Sequence, residues 1–150
     1  MKYVAVILAM VLVAGVTVTV FVLAGSSVTV SLAGNPEVVD ASSNRALFAQ
    51  MAQAAGYDLD GDDAVNYKFV TWRIILRNGT RIPLEMAEAT ILTKAGDVAR
   101  VDNATGITVR PGEDGALSVT ILTRGEVTPG HEIIVSWYLW GKSYQQTLTV

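Results

Sequence analysis

Residues 66–84, NYKFVTWRIILRNGTRIPL, read as a long strand, a turn and a return. Val70, Trp72, Ile74 and Leu76 fall on one face, with Lys68 at the solvent end of that series. Thr71, Arg73 and Arg77 fall on the other, which is the two-residue period of a half-buried strand. Asn78-Gly79 predicts a hairpin turn of type I′. Pro83 restricts Thr80 to Leu84 to an edge strand or an extended connection, since proline has no N–H to give a ladder.

Downstream, short β segments recur: Ala87 to Thr93, Val98 to Val101, Ile107 to Arg110, Ala116 to Thr123, His131 to Trp140 and Ser143 to Val150. Turn residues separate them at Lys94 to Asp97, Asp102 to Gly106, Pro111 to Gly115 and Arg124 to Gly130. Gly141-Lys142 between the last two strands has glycine first, as a type II′ turn requires. About seven strands with frequent turns predict a sandwich.

Upstream, Ser43 to Ala55 predicts a helix capped by Ser42 or Ser43 and ended at Gly56, with Leu47, Met51, Ala54 and Ala55 on one face. Ala33-Gly34-Asn35-Pro36 breaks the chain before it. Val28 to Leu32 alternates like a strand and equally continues the segment preceding it.

That preceding segment, Tyr3 to Ala24, is YVAVILAMVLVAGVTVTVFVLA, apolar apart from Thr17 and Thr19. As a helix rising about 1.5 Å per residue it is long enough to cross a hydrocarbon layer of about 30 Å. Three readings follow: a signal peptide ending near Val22-Leu23-Ala24, a membrane anchor, or a helix packed among its copies in a filament core. Lys2 is the only charge before it and favours a cytoplasmic N-terminus with the rest of the chain outside. The expected organisation is a hydrophobic helix over 1–25, a linker over 26–36 and a β domain over 37–150. The expected fold class is therefore α+β: a long N-terminal helix followed by an all-β sandwich with one short extra helix.

The chain of 150 residues has net charge −3, no cysteine and one histidine. No basic cluster exists to grip phosphates, so nucleic acid is not an expected partner. Disulfides and thiolate metal sites are excluded by composition. His131-Glu132 begins like a zinc-protease HExxH, but Val135 stands where the second histidine belongs. This inventory does not predict an enzyme.

Three sets of side chains are candidate sites. Asp58, Asp60 and Asp62, around Gly61, alternate as oxygen ligands for calcium do, although the glycine spacing and Phe69 in place of a final glutamate depart from an EF-hand loop. An exposed acidic turn is the alternative. Asn78-Gly79-Thr80 and Asn103-Ala104-Thr105 both match the N-glycosylation pattern, in predicted turns. Trp137, Tyr138, Trp140 and Tyr144 cluster around the last turn, where alternation makes at least one ring core and leaves others for sugars or a subunit interface.

Ala9-Met10-Val11-Leu12-Val13-Ala14-Gly15-Val16 resembles the hydrophobic core of archaellins and archaeal type IV pilin-like proteins. Leu76 to Leu84, followed by Ala89-Thr90-Ile91-Leu92, is similar to their strand, Asn-Gly turn and strand. Ala5 and Val6 stand where bacterial type IV pilins place an acidic residue, which favours the archaeal type. The resemblance implies an immunoglobulin-like β domain and a structural subunit of an extracellular filament. Its assembly helix would use Val4, Ile7, Leu8, Val11, Leu12, Gly15, Val18, Phe21 and Val22, with the membrane as an earlier partner and a helical homopolymer as the product. The same superfamily implies a second role, a single-pass stator or binding module whose β domain holds the surface layer or its glycans.

Overall fold

The computed structural model describes residues 7, 10–14, 28–59 and 61–150. Its strands are β1 (Val28–Leu32), β2 (Glu37–Asp40), β3 (Tyr67–Asn78), β4 (Leu84–Ile91), β5 (Asp97–Val101), β6 (Asn103–Val109), β7 (Asp114–Arg124), β8 (Glu132–Leu139) and β9 (Lys142–Thr149). Helix α1 (Arg45–Ala54) lies between β2 and β3. The strands form two stacked sheets: sheet A in the order β1-β3-β7-β5, with β2 also on β3, and sheet B in the order β6-β4-β8-β9.

The alternation in β3 sets the core. Val70, Trp72, Ile74 and Leu76 point inward and are at most 3% exposed, against Leu117, Val119 and Ile121 of β7 and Ile133 and Val135 of β8. Each such side chain contributes about 1.5–3 kcal/mol by leaving water. β1 and β2 share one side of β3, β1 along residues 74–78 and β2 along 68–71. Between them Ala33 N–H still donates to Arg73 O at 2.9 Å, while Gly34 takes φ +106 and Pro36 stands on the outer edge, where a missing N–H does no harm.

The outer face of sheet A carries α1. Asn44 caps it, its Oδ1 accepting from Leu47 N–H at 3.1 Å, in place of the serines expected for that task. Phe48, Met51 and Ala52 form the buried face rather than Ala54 and Ala55, and they cover Tyr67, Phe69 and Leu122. Gly56 at φ +80 follows the helix end, as expected.

Several expectations are corrected. The fold is a β-sandwich with one short α-helix, not an α+β fold organised by a long N-terminal one. Among the described residues no helix is long and apolar enough to cross a membrane, and of the apolar stretch only residues 7 and 10–14 are described, as helical. Val4, Leu8, Gly15, Val18, Phe21 and Val22 lie outside the described residues. β1 falls within the stretch read as a linker and is a full member of sheet A.

From the immunoglobulin order, ABED on one sheet and CFG on the other, the strand order β1-β3-β7-β5 and β4-β8-β9 departs at β6. Strands β3 to β8 enter sheets A and B alternately, and among the described residues only β8 and β9 are consecutive partners joined by a tight turn, β2 and β3 being separated by α1. An immunoglobulin domain keeps consecutive strands D and E side by side; here the chain leaves sheet A after β5, runs in sheet B as β6, and returns as β7. Asn78-Gly79 is accordingly no hairpin, because β3 and β4 belong to different sheets. The last turn is Trp140-Gly141, at φ 53 and 70, so both central residues are left-handed, as in type I′ rather than II′.

Candidate functional site

The strongest surface feature lies at one end of sheet B. Glu85 of β4 pairs with Tyr138 of β8, which pairs with Ser143 of β9, so three neighbouring strands bring their ends together. Met86, Tyr138 and Trp140 are exposed there, Trp140 to 69%. Among the described residues Met86 (φ 50) and Trp140 (φ 53) are the only non-glycine residues in the left-handed region. For a bulky side chain that conformation costs about 1–2 kcal/mol. Both strained positions therefore thrust a large apolar side chain into water.

Local causes can be named. At Met86 the register of β4 slips against both neighbours, a bulge that puts two consecutive residues, Glu85 and Met86, on the outer side. Gly106 of β6 makes room for it: a side-chain carbon there would lie 2.9 Å from Met86 Cα. Trp137 is the core ring of the aromatic cluster, and Tyr144 stacks on it with centroids 6.3 Å apart and planes at 12°. Such a patch can stack on sugar rings or pack against another apolar surface.

The two glycosylation candidates have opposite environments. Asn78 is fully buried, and its Nδ2 donates to Ile82 O at 2.9 Å and Val109 O at 2.8 Å. Its Oδ1 accepts from Thr80 N–H and from the Thr80 hydroxyl. The Asn-Gly-Thr triplet is thus a polar knot that steers the chain from sheet A to sheet B, and it leaves no amide hydrogen and no space for a sugar. Asn103 begins β6 rather than sitting in a turn. It is half-buried on a cleft of about 370 Å³ shared with Asp102, Thr105, Ser118 and Thr120.

In the acidic stretch Asp58 and Asp63 are exposed, and residues 61–66 form a short 3-10 helix. Asp60 and the Asp62 side chain lie outside what is described. Among the described residues no three His, Asp or Glu side chains gather as a metal centre would require.

His131 is 1% exposed. Its Nε2 lies 2.8 Å from Asp97 Oδ2, which also accepts from Lys94 N–H at 2.7 Å, and its ring leans on Trp72 with centroids 5.5 Å apart. Lys94 Nζ donates to Pro129 O at 3.0 Å. These bonds fasten the β4–β5 turn to the start of β8, with the side chains of His131 and Asp97 both buried. Asp97 and Met86 are the residues that sequence reasoning missed. The first was hidden in turn punctuation and the second had no local signal beyond a distant glycine.

No family model matches the chain, and no curated protein matches it either.

Proposed function

We propose that the chain is a structural subunit of an extracellular filament, archaellin-like or type IV pilin-like, which assembles by burying its apolar N-terminal segment among copies and displays the sandwich outside. The observation that carries this reading is the exposure of Ile7, Met10, Val11 and Leu12, each at least 62% open to solvent. Apolar surface costs about 25 cal/mol for each Å² left in water, so a row of such side chains calls for a cover. The sandwich already has a complete core of its own, and it supplies none.

The decisive experiment shears surface appendages from source cells and identifies their main component by mass spectrometry. Abundance of this chain in the filaments supports the subunit reading; recovery only from membranes defeats it. In a filament, Leu12→Asp places a charge among packed helices and abolishes assembly. Wild-type filament yield from that variant would count against the proposal.

The strained patch at Met86, Tyr138 and Trp140 favours a second reading, an anchored module that binds surface-layer protein or glycan. It predicts that Trp140→Ala releases the chain from cell-envelope material while leaving the fold intact.

A further inference from the structure

Among the described residues the two sheets have four edges, and three of them are protected against pairing with another chain. The β1–β2 side is interrupted at residues 33–36 and carries Pro36, Glu37 and Asp40. β5 is five residues long with a register slip and bears Asp97 and Arg100. β6 is irregular along its pairing with β4. Such interruptions, bulges and charges are how sheets avoid edge-to-edge association. β9 has none of them. It runs eight residues in unbroken register with β8, contains no proline, and has no charge after Lys142. Among the described residues nothing pairs with its outer side.

Backbone direction along β9 follows from one bond. Val150 N–H donates to His131 O at 2.8 Å, and antiparallel pairs alternate, so Tyr144, Gln146 and Leu148 turn their backbone groups to β8. Ser143, Gln145, Thr147 and Thr149 turn theirs outward. Side chains divide the opposite way in use. Tyr144, Gln146 and Leu148 continue the inner face of Trp137, Val135 and Ile133, yet Tyr144 remains 41% exposed beyond the rim of the core.

We propose that β9 pairs antiparallel with β9 of a second copy about a two-fold axis at Gln146, joining the two B sheets into one of eight strands. A two-fold through the sheet requires like faces to meet, and centring on Gln146 sets Tyr144 opposite Leu148 of the other copy on both sides of the axis. Ser143 then meets Thr149 and Gln145 meets Thr147, so all four outward-facing backbones find ladder partners. Lys142 falls opposite Val150 and no like charges oppose each other. The ring of Tyr144 is already fixed by its stack on Trp137, which lowers the ordering cost of binding. This association is a property of the β domain and does not depend on how the N-terminal segment is covered.

The chain has no cysteine, so an introduced thiol reports its own neighbours. With full-length protein in detergent micelles under mild oxidation, Gln146→Cys should form a disulfide dimer, since directly opposed Cβ atoms lie about 4.5–5.5 Å apart. Gln145→Cys should not, because its own copy lies on a diagonal about 7–8 Å away. Adding Thr147→Pro to Gln146→Cys removes an outward N–H that the fold does not use, and should slow cross-linking about tenfold or more. Ser143→Pro acts on the same edge and serves if Thr147→Pro alters the circular dichroism spectrum. Equal cross-linking at 145 and 146, no dimer from Gln146→Cys, or a rate indifferent to both prolines would overturn the proposal.

Discussion

On the outer face of sheet A, Tyr67 and Phe69 lie beneath α1, and the Phe48 ring meets Tyr67 with centroids 5.3 Å apart. On the outer face of sheet B, Met86 and Tyr138 occupy comparable positions near a strand end and stand open. The first surface was given a helix and became a second small core; the second was given none. Charge completes the contrast, because the uncovered part of sheet A is dressed with polar pairs, Arg73 with Glu37 at 3.0 Å and Thr71 with Thr120 at 2.9 Å. Val101, beside Thr120, is an exposed apolar residue there, at 48%. The difference is one of cover: a helix closes over one exterior, and Met86, Tyr138 and Trp140 stand open on the other.

Truncation tests that difference most severely. Phe48→Ala empties the space between α1 and sheet A and should cost about 3–5 kcal/mol, read from urea denaturation. A loss below about 1 kcal/mol would mean that the helix is ornament rather than core. Next comes the clamp between the sheets. His131→Ala leaves the Asp97 carboxylate buried without its partner and should cost about 3 kcal/mol, lowering the midpoint of unfolding. The smallest effect has the opposite sign. Trp140→Asn relieves a left-handed tryptophan at an exposed turn and should stabilise the fold by about 1 kcal/mol, while Tyr138→Ser should stay within about 0.5 kcal/mol of the parent. Destabilisation by Trp140→Asn would show that the indole packs rather than projects, and the contrast between the two exteriors would collapse.

Much of the sandwich was legible because a period of two is local. Val70 to Leu76 announce their burial by alternation, and the same rule identified the last two strands. Connections were not legible. Asn78-Gly79 carries the composition of a hairpin, but its amide is held by Val109, 31 residues away, and that distant carbonyl decides that the chain crosses between sheets. Val28 to Leu32 suited a strand or a continuing helix, and β3 resolves it by offering an unpaired edge at residues 74–78. The sequon pattern is equally blind: Asn78 and Asn103 match it alike, and only burial separates a structural amide from one beside an open cleft. At the final turn, the preference of glycine for positive φ suggested Gly141 as the first loop residue; Trp140 took that place at a cost in strain.

Alternation of strands between the sheets has a kinetic consequence. Apart from the β8–β9 hairpin and the pairing of β1 and β2 with β3, every ladder among the described residues joins strands separated by at least one excursion to the opposite layer. Loop-closure entropy is then spent before contacts return it, which places folding in the range of about milliseconds to seconds. β3, the central strand of sheet A, finds its main partner in β7, with all of β4, β5 and β6 synthesised between them. A nascent chain emerging at roughly 5–20 residues per second leaves the β7 edge of β3 unpaired for seconds, and β8, which helps cover its apolar face, follows later still. During that interval Trp72 and Ile74 lack the cover that Ile133 and Val135 of β8 give them in the folded chain.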